Sequence, residues 1–327
     1  MKKFKIYISI LLCFSMFITG CSFQRDLNAA YNTDEQLSIG ISDKMSTIKT
    51  NSMGNKFAVI PFDSYVYSDS NADYMASLLI NISNNSVLQC SNPHKKIYPA
   101  SMTKIMTAMI VADEIQAGRL SLDENITLSH TIIFDDPDAV GSGLIAGDTI
   151  TVNELLHGLL IRSFNDCCII LAERIAGSES AFCDLMNAKA KALGATNTHF
   201  SNSHGLHLED HYTTVYDLYI MFHEFTNYEL LTNIDNVSTY MMKYTHADGT
   251  PVEIECAATN GFLGEYELPD GLALGGWKTG TTTEAGNCLI LEVNDEEDNQ
   301  YIAIIAKAVD KNTLYEDMTD ILGTINE

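Results

Sequence analysis

The chain has 327 residues, enough for one large domain or two small ones, and 46% of them are hydrophobic, so a sizeable core can form. Its formal net charge is -24 at pH 7. Such acidity keeps a protein soluble and argues against nucleic acid as a partner, because phosphate backbones are bound by lysine and arginine.

The N-terminus has the pattern of an export signal. The basic stretch MKKFK precedes the apolar stretch IYISILLCFSMFI, which is too short for a comfortable membrane span. The stretch ITGC then resembles the lipobox of bacterial lipoproteins. That resemblance implies a signal peptide over residues 1–20, cleavage before Cys21 and a lipid on its sulfur. Ordinary secretion and a retained anchor are the alternatives, and each places the rest of the chain outside the cytoplasm.

Residues 21–55 are predicted to form a flexible tether between the lipid and a folded domain, because they are mostly polar and lack lasting periodicity. Six cysteines follow the tether without the spacing of a disulfide framework. The adjacent pair Cys167 and Cys168 is interpreted as two small apolar residues on a helix. A vicinal disulfide, metal ligation and a redox role are the alternatives.

The domain begins with predicted strands. KFAVIPF (56–62) has the composition of a strand, and MASLLINIS (75–83) followed by NNS and VLQ predicts a β-hairpin. From Ser101 to about Gln116 apolar residues recur at helical spacing, with Pro99 just before them.

The middle of the chain is predicted to be mostly helical. In TVNELLHGLLI, Thr151 is a candidate cap with Glu154 three residues later. NDCCIILAERIAG and ESAFCDLMNAKAKALG end at Gly177 and Gly194, which are natural helix stops. TTVYDLYIMFHEF predicts another helix.

Strands return after residue 250, where NCLILEV and YIAIIAKAV flank an acidic turn, and TLYEDMTDILGTI predicts a closing helix. This order favours an α/β (more narrowly α+β) fold. Both chain ends would build one antiparallel sheet flanked by helices, with a mostly helical subdomain inserted between them.

The stretch YPASMTKIMTA places Ser101 and Lys104 three residues apart on one face of a helix. A serine is a poor nucleophile until a base removes its proton, and a lysine can serve if it is uncharged. Burial and positive neighbours lower a lysine pKa enough for that role. The spacing also occurs at Ser46 and Lys49 in the predicted tether, where no apolar helix follows.

Two further short motifs follow at plausible intervals. SFN holds Ser163 and Asn165 at the start of a predicted helix, and WKTGTT holds Lys278, Thr279 and Gly280 before a predicted strand. A lysine beside a hydroxyl can hold a carboxylate, and a glycine lets a ligand lie close to a strand edge. Each motif is weak alone, but the three occur in this order in penicillin-binding proteins and class A β-lactamases.

The chain resembles the D-alanyl-D-alanine carboxypeptidase family, the low-molecular-mass penicillin-binding proteins. The stretches that carry the resemblance are YPASMTKIMTA, ITVNELLHGLLIRSFNDCCIILAE, MNAKAKALGATNTHFSNSHGL and DGLALGGWKTGTTTEAGNCLI. The resemblance covers roughly residues 56–327. It implies a catalytic domain over this range with a fold like that of serine β-lactamases and penicillin-binding proteins.

The resemblance also implies catalytic roles. Ser101 would attack the carbonyl between two D-alanines of a peptidoglycan stem peptide, with Lys104 as its general base. Ser163 would relay a proton to the leaving amine, and Asn165 would hold the substrate amide and Lys104. Penicillins and other β-lactams would acylate the same serine.

Substrate binding is implied for the third motif. Lys278 and Thr279 would bind the terminal carboxylate beside Gly280, and the backbone N–H groups of Ser101 and Thr281 would form the oxyanion hole. No cofactor and no metal ion is expected. The expected partners are the stem peptide, β-lactams and, through the lipid on Cys21, the cell membrane.

Some positions depart from the family's usual residues. Phe164 stands between Ser163 and Asn165 in place of glycine, and Ser203 stands in place of proline. Phe164 is either a core residue or a wall of the substrate site. The segment that precedes the third motif and Trp277 is unusually long for the family. Trp277 either packs internally or lines the rim of the cleft. A second β domain, as in larger members, is expected to be absent.

Two other functions remain as alternatives. A β-lactamase of similar fold would need a carboxylate that activates the deacylating water, and no glutamate can be assigned to that role from the sequence. A non-catalytic penicillin-binding sensor or scaffold is the other alternative, and intact Ser101, Lys104 and Lys278 argue against it. The histidines of HGLHLEDHY suggest a zinc site only weakly, because no H-E-x-x-H pattern is present.

Overall fold

The structure is a computed structural model that describes residues 48–49, 56–61 and 74–326. The predicted signal peptide, Cys21 and most of the predicted tether lie outside the described residues. Ten strands and seven α-helices occur in the described part of the chain. In chain order these are β1 (Ile48–Lys49), β2 (Ala76–Asn81), β3 (Ser86–Ser91), α1 (Lys104–Gln116), β4 (Asn125–Thr127), β5 (Thr149–Thr151), α2 (Val152–His157), α3 (Asn165–Ala176), α4 (Glu179–Leu193), α5 (Val215–Phe225), α6 (Glu229–Asp235), β6 (Thr239–Thr245), β7 (Pro251–Ala257), β8 (Ala273–Thr282), β9 (Gly286–Asn294), β10 (Gln300–Ala308) and α7 (Lys311–Gly323).

Strands from both ends of the domain form one antiparallel sheet, as the sequence predicts. Its order is β1-β3-β2-β10-β9-β8, so β10 lies between β2 and β9. Alternate residues of a strand point to opposite faces. Ile302 and Ile304 join the larger apolar cluster, whereas Ala303 and Ile305 join a smaller cluster with residues of α7. The sheet is therefore covered on both faces, and β8 is left as one edge.

The predicted hairpin and helix boundaries are confirmed. Asn85 takes a left-handed conformation, with φ of 57°, in the turn between β2 and β3. The Thr151 side chain caps α2 by accepting a hydrogen bond from the backbone N–H of Glu154. Gly177 and Gly194 end α3 and α4 with φ of 79° and 96°, a conformation that costs glycine little.

The strand predicted for residues 56–62 is wrong over the six residues that are described. The backbone N–H of Ala58 donates to the Tyr219 hydroxyl at 3.0 Å, and its carbonyl accepts from the Tyr216 hydroxyl at 2.9 Å. Side chains of α5 thus bond the backbone groups of Ala58 that a neighbouring strand would otherwise pair.

The inserted subdomain is not purely helical, since it also contains an antiparallel sheet with the order β4-β5-β6-β7. Only Met242 and Tyr244 are buried in β6, and β4 has no buried residue. β4 and β5 have three residues each, too few for an apolar periodicity, and most residues of β6 and β7 are exposed or half-buried. The sequence pattern therefore did not reveal them.

Helix α1 runs through the interior of the domain. Every residue from Lys104 to Ala112 is buried. A helix that is buried all round is surrounded by other elements rather than packed on one face. Its first residue, Lys104, is consequently enclosed by the core. Among the described helices, none has both the length and the hydropathy needed to cross a membrane.

Glu292 on β9 is a buried carboxyl group that should make stability depend on pH. It is 6% exposed and accepts a hydrogen bond from Gln300 Nε2 at 3.0 Å. Burial raises the pKa of Glu292 from 4.5 to about 7. Because the folded-state pKa exceeds the unfolded one, stability is fully present below pH 4.5 and falls as the pH rises towards 7.

Between low pH and about pH 8, ionisation of Glu292 should lower the free energy of unfolding of the wild type by about 3 kcal/mol. We expect Glu292→Gln not to show this loss, since glutamine cannot ionise. Urea unfolding of both proteins across this range measures the difference. If the two curves of unfolding free energy against pH run parallel, the carboxyl group does not carry this cost.

Candidate active site

Ser101 lies on a tight turn that leads directly into α1. This turn, Ala100–Thr103, is a 3₁₀ helix, and Ala100 has a φ of 46°, which is unfavourable for a residue other than glycine. Two glycines pack against it. A Cβ atom on Gly205 would lie 1.9 Å from the Ala100 carbonyl oxygen, and one on Gly280 would lie 3.0 Å from Ser101 N. The backbone at Ser101 is thus held between two distant segments.

Lys104 is fully buried one turn after Ser101. Its Nζ lies 2.8 Å from Ser101 Oγ, and it donates to Asn165 Oδ1 at 3.2 Å and to the His204 carbonyl oxygen at 2.8 Å. A neutral amine has two N–H groups and one lone pair. With Asn165 and His204 accepting the two N–H groups, the lone pair is directed at the Ser101 hydroxyl. This arrangement suits a base that takes the serine proton.

The electrostatic surroundings favour the neutral amine. Burial lowers the pKa of Lys104, and the opposing influences are the nearby Cys168, Cys167 and Asp166. Burial also raises the pKa of both thiols, that of Cys168 to about 12, so neither is charged near neutral pH. Of these three neighbours, the Asp166 carboxylate is therefore the one that opposes the effect of burial on the pKa of Lys104. Both cysteines are free thiols inside the core.

The second motif lies where the helical segment that begins with α2 becomes irregular. Gly158–Arg162 form a π-helical turn, a feature that is frequent at functional sites, and Ser163 follows with φ of 66°. Ser163 Oγ accepts a hydrogen bond from Lys278 Nζ at 3.2 Å. Between Ser163 and Asn165, Phe164 is only 5% exposed and belongs to the apolar core.

The third motif lies on the edge strand β8. Lys278 is fully buried, and its Nζ also donates to the Thr279 carbonyl oxygen at 3.2 Å. Burial lowers the pKa of Lys278, and any protonation of the neighbouring Lys104 would lower it further. The Thr279 hydroxyl lies 2.6 Å from that of Thr259, and Thr281 is exposed. The lysine is therefore buried, whereas the two threonines of β8 line the cleft.

Trp277 packs internally, the first of the two alternatives that the sequence left open, and does not line the rim of the cleft. It is fully buried, its Nε1 donates to the Asp235 carbonyl oxygen at 2.8 Å, and its backbone N–H donates to Asp235 Oδ2 at 3.2 Å. Burial raises the pKa of the Asp235 carboxyl group. The pair anchors β8 to the end of α6, immediately before Lys278.

A cleft of about 640 Å³ opens in front of Ser101. Ser163 and residues 279–281 also line it, so residues of all three motifs meet at one cavity. Sequence reasoning missed Arg162 and Thr259, which line the same cleft. The position of Arg162 next to Ser163 could have indicated it. Thr259 is brought there only by folding, through its backbone N–H bond to the Ile161 carbonyl at 3.2 Å.

The histidines after Asn202 have structural contacts. His211 is buried, its Nε2 lies 2.7 Å from Thr103 Oγ1, and its Nδ1 accepts from the Ser201 backbone N–H at 3.0 Å. Burial lowers the pKa of His211 to about 3, so the ring is neutral. Within residues 74–326 and the shorter described stretches, no cluster of His, Cys, Asp and Glu is arranged to hold a metal ion.

A helix-covered antiparallel sheet in which a Ser-x-x-Lys turn faces Ser-x-Asn and Lys-Thr-Gly elements defines the class of serine penicillin-binding proteins and related β-lactamases. The sequence profile of the D-alanyl-D-alanine carboxypeptidase family (Peptidase S11) matches residues 66–309. The chain belongs to this family, as its resemblance predicts.

Individual relatives agree with this assignment. The D-alanyl-D-alanine carboxypeptidase DacF of Bacillus subtilis is 34% identical over 217 residues, which are 65% of this chain and 52% of that protein. DacD of Salmonella typhimurium is 31% identical, covering 72% of this chain and 58% of that protein. The chain therefore spans little more than half the length of these relatives.

Solved structures of penicillin-binding proteins share the fold. Penicillin-binding protein D2 of Listeria monocytogenes, in a cefotaxime-bound form, has a TM-score of 0.65 and 26% identity, with 79% of this chain and 100% of that chain covered. The predicted fold class is confirmed.

Proposed function

We propose that this protein is a serine-type D-alanyl-D-alanine carboxypeptidase that acts through an acyl-enzyme on Ser101. The observation that carries the proposal is the placement of the buried Lys104 amine. Its N–H groups bond Asn165 and His204, and its lone pair faces the Ser101 hydroxyl. Family membership supplies the substrate class, the peptide that ends in D-alanyl-D-alanine.

In the proposed reaction, Ser101 Oγ attacks the carbonyl carbon between the two D-alanines as Lys104 Nζ takes its proton. The tetrahedral oxyanion is met by the backbone N–H groups of Ser101 and Thr281. The C–N bond then breaks, and the proton that Lys104 took passes through the hydroxyl of Ser163, which bonds Lys278, to the leaving amine. Water attacks the acyl-enzyme and gives one proton to Lys104, which returns it to Ser101 Oγ as the ester bond breaks.

The terminal carboxylate of the substrate is proposed to bind at the Thr279 hydroxyl, beside Gly280. Lys278 contributes its charge from a buried position rather than from the surface of the cleft. It is fully buried, and its amine bonds Ser163 and Thr279. A buried amine close to the carboxylate would attract it with little screening by water. A bound carboxylate would in turn favour the protonated form of Lys278.

Binding of β-lactams at Ser101 is proposed from the same geometry, and the cefotaxime-bound relative supports it. A fast β-lactamase is less favoured. The carboxylates that line the cleft are Asp138, which accepts the Thr283 N–H at 2.7 Å, and Glu265, which pairs with Lys311. Both bond other protein groups, and the described partner of the Ser101 hydroxyl is Lys104 rather than either carboxylate.

One experiment tests the proposed function. The full chain is mixed with a reporter penicillin or with a peptide ending in D-alanyl-D-alanine, and digested for mass spectrometry. We expect a stable penicillin adduct on the peptide containing Ser101, and release of D-alanine from the substrate. Ser101→Ala should abolish both, whereas Ser46→Ala, in the other Ser-x-x-Lys stretch, should abolish neither. Rapid loss of penicillin without an adduct would favour a β-lactamase, and an adduct without D-alanine release would favour a sensor.

We further propose that the mature protein is anchored to the outer face of the cell membrane by a lipid on Cys21. The tether would be the residues between Cys21 and β1, because Ile48 and Lys49, inside the range 21–55 first predicted for it, pair with β3. The basic and apolar stretches before Cys21 and the small residues beside it support this proposal. Mass spectrometry of the mature N-terminus tests it. A mature chain that begins elsewhere, or an unmodified Cys21, would refute the anchor.

A further inference from the structure

We propose that Glu179 is a positioning residue for Lys104, acting through the turn at Ser203 and His204. The inference rests on the proposed function, in which Lys104 is the general base. Glu179 does not touch Ser101 or the cleft; it fixes the carbonyl group that orients the lysine amine.

Glu179 makes two hydrogen bonds to Ser203. Glu179 is the first residue of α4, and one of its carboxylate oxygens, Oε1, accepts hydrogen bonds from both Ser203 N at 2.9 Å and Ser203 Oγ at 2.6 Å. Ser203 itself is fully buried, while the Glu179 side chain is 28% exposed. Hydrogen bonds to a charged acceptor are stronger than those between neutral groups. Glu179 therefore holds the backbone of Ser203 in place.

Ser203 and the residue after it connect Glu179 to α1 and to Lys104. The Ser203 carbonyl accepts a hydrogen bond from Thr107 Oγ1 at 2.6 Å, which ties the same residue to α1. The next carbonyl, that of His204, accepts from Lys104 Nζ at 2.8 Å. Glu179 from α4 and Thr107 from α1 thus hold Ser203 from two sides, and the adjoining carbonyl is aimed at the amine.

The acceptors around Lys104 set the direction of the lone pair on its amine. Within the described part of the chain, two acceptors, Asn165 Oδ1 and the His204 carbonyl, orient the N–H groups of Lys104 away from Ser101. If the His204 carbonyl moves, the amine can rotate and its lone pair leaves the serine hydroxyl. Misplacement of a catalytic group by about 1 Å can cost about 100-fold in rate.

The contact of Glu179 with His204 is not an ion pair. His204 Nε2 lies 3.5 Å from Glu179 Oε1, but burial lowers the pKa of His204 well below its ordinary value, so the ring is neutral. The role of Glu179 is thus carried by its two hydrogen bonds to Ser203. A glutamine retains a side-chain oxygen that can accept them.

The experiment compares acylation of Ser101 in four full-length proteins: wild type, Glu179→Ala, Glu179→Gln and the control Glu114→Ala. Glu114 is also a helix carboxylate with two hydrogen bonds, to Arg119 at 2.7 Å each, but it lies at the far end of α1. The acylation rate at saturating reporter penicillin, the half-saturating concentration and the melting temperature are measured for each.

We expect Glu179→Ala to lower the saturated acylation rate by about 10- to 100-fold while the half-saturating concentration changes by less than about 3-fold. Glu179→Gln should restore most of the rate, and Glu114→Ala should acylate like the wild type. A further change, Ser203→Ala, should cost less in the Glu179→Ala background than in the wild type, because the bond that it removes is already absent.

Two results would overturn the inference. One is a Glu179→Ala protein that melts at a lower temperature but, where folded, acylates at the wild-type rate, which would make Glu179 merely structural. The other is an equal loss in Glu179→Gln and Glu179→Ala, which would assign the effect to charge and not to the bonds to Ser203. Failure of the wild type itself to be acylated would overturn the proposed function, and this inference with it.

Discussion

Replacement of Lys104 by arginine is expected to lower the rate at which a penicillin acylates Ser101 by about 10²- to 10⁴-fold, the usual contribution of a general base. Arginine keeps its proton at any accessible pH, so it offers no lone pair to the serine hydroxyl. Lys104 is fully buried and its pKa is lowered by that burial, so the wild-type amine can be neutral. The measurement is the acylation rate followed by mass spectrometry.

The matched control for this prediction is Lys189→Arg. Lys189 is a half-buried lysine that bonds Asp113 and the Tyr228 hydroxyl, outside the proposed catalytic group. The same change there should leave acylation within about 2-fold of the wild type, since it removes no catalytic group. In the wild type, acylation should slow as the pH falls through the pKa of Lys104. A Lys104→Arg protein that releases D-alanine at the wild-type rate would remove Lys104 as the base.

The architecture of the central sheet was predictable because its strands are strongly marked. NCLILEV and YIAIIAKAV are continuous apolar runs around an acidic turn, and they form β9 and β10. The helix ends at Gly177 and Gly194 were likewise predictable from residue type alone. By contrast, β4 is three residues long with no buried residue, so its pairing depends on neighbours that no local pattern identifies.

For the candidate site, the sequence could predict only the residues that belong to the three short motifs. Ser101, Lys104, Ser163 and Lys278 meet in the structure as the motif order indicates. The motifs do not reveal the left-handed φ of Ala100, because alanine rarely adopts it and only packing against distant residues enforces it. They also cannot identify a backbone carbonyl as a ligand of Lys104, since any residue type could supply one.

Contacts between distant segments determine features that the sequence left open or did not indicate. Trp277 stands beside Lys278 in sequence, yet successive residues of a strand face opposite sides, and Trp277 points to the cluster under α7. Glu179 lies 75 residues after Lys104. Only the fold shows that its carboxylate holds the turn on which the lysine depends.

Gly205→Ala is expected to reduce the free energy of unfolding by roughly 3 kcal/mol or more and to abolish acylation of the remaining folded protein, because conformational strain and overpacking add. Gly205 has a φ of 96°, and its added Cβ would lie 1.9 Å from the Ala100 carbonyl oxygen and 2.4 Å from its carbonyl carbon. Backbone atoms cannot rotate away as a side chain can. The turn that presents Ser101 would therefore have to move.

Gly194→Ala separates the two causes. Gly194 has the same φ of 96° at the end of α4, but a Cβ atom there would meet nothing within 4 Å. We expect this control to cost about 1–2 kcal/mol from strain alone and to leave acylation unchanged. Urea unfolding and penicillin acylation of both variants give the comparison. Equal losses of stability with acylation intact in both would mean that the close approach of Gly205 to Ala100 does not set the backbone at Ser101.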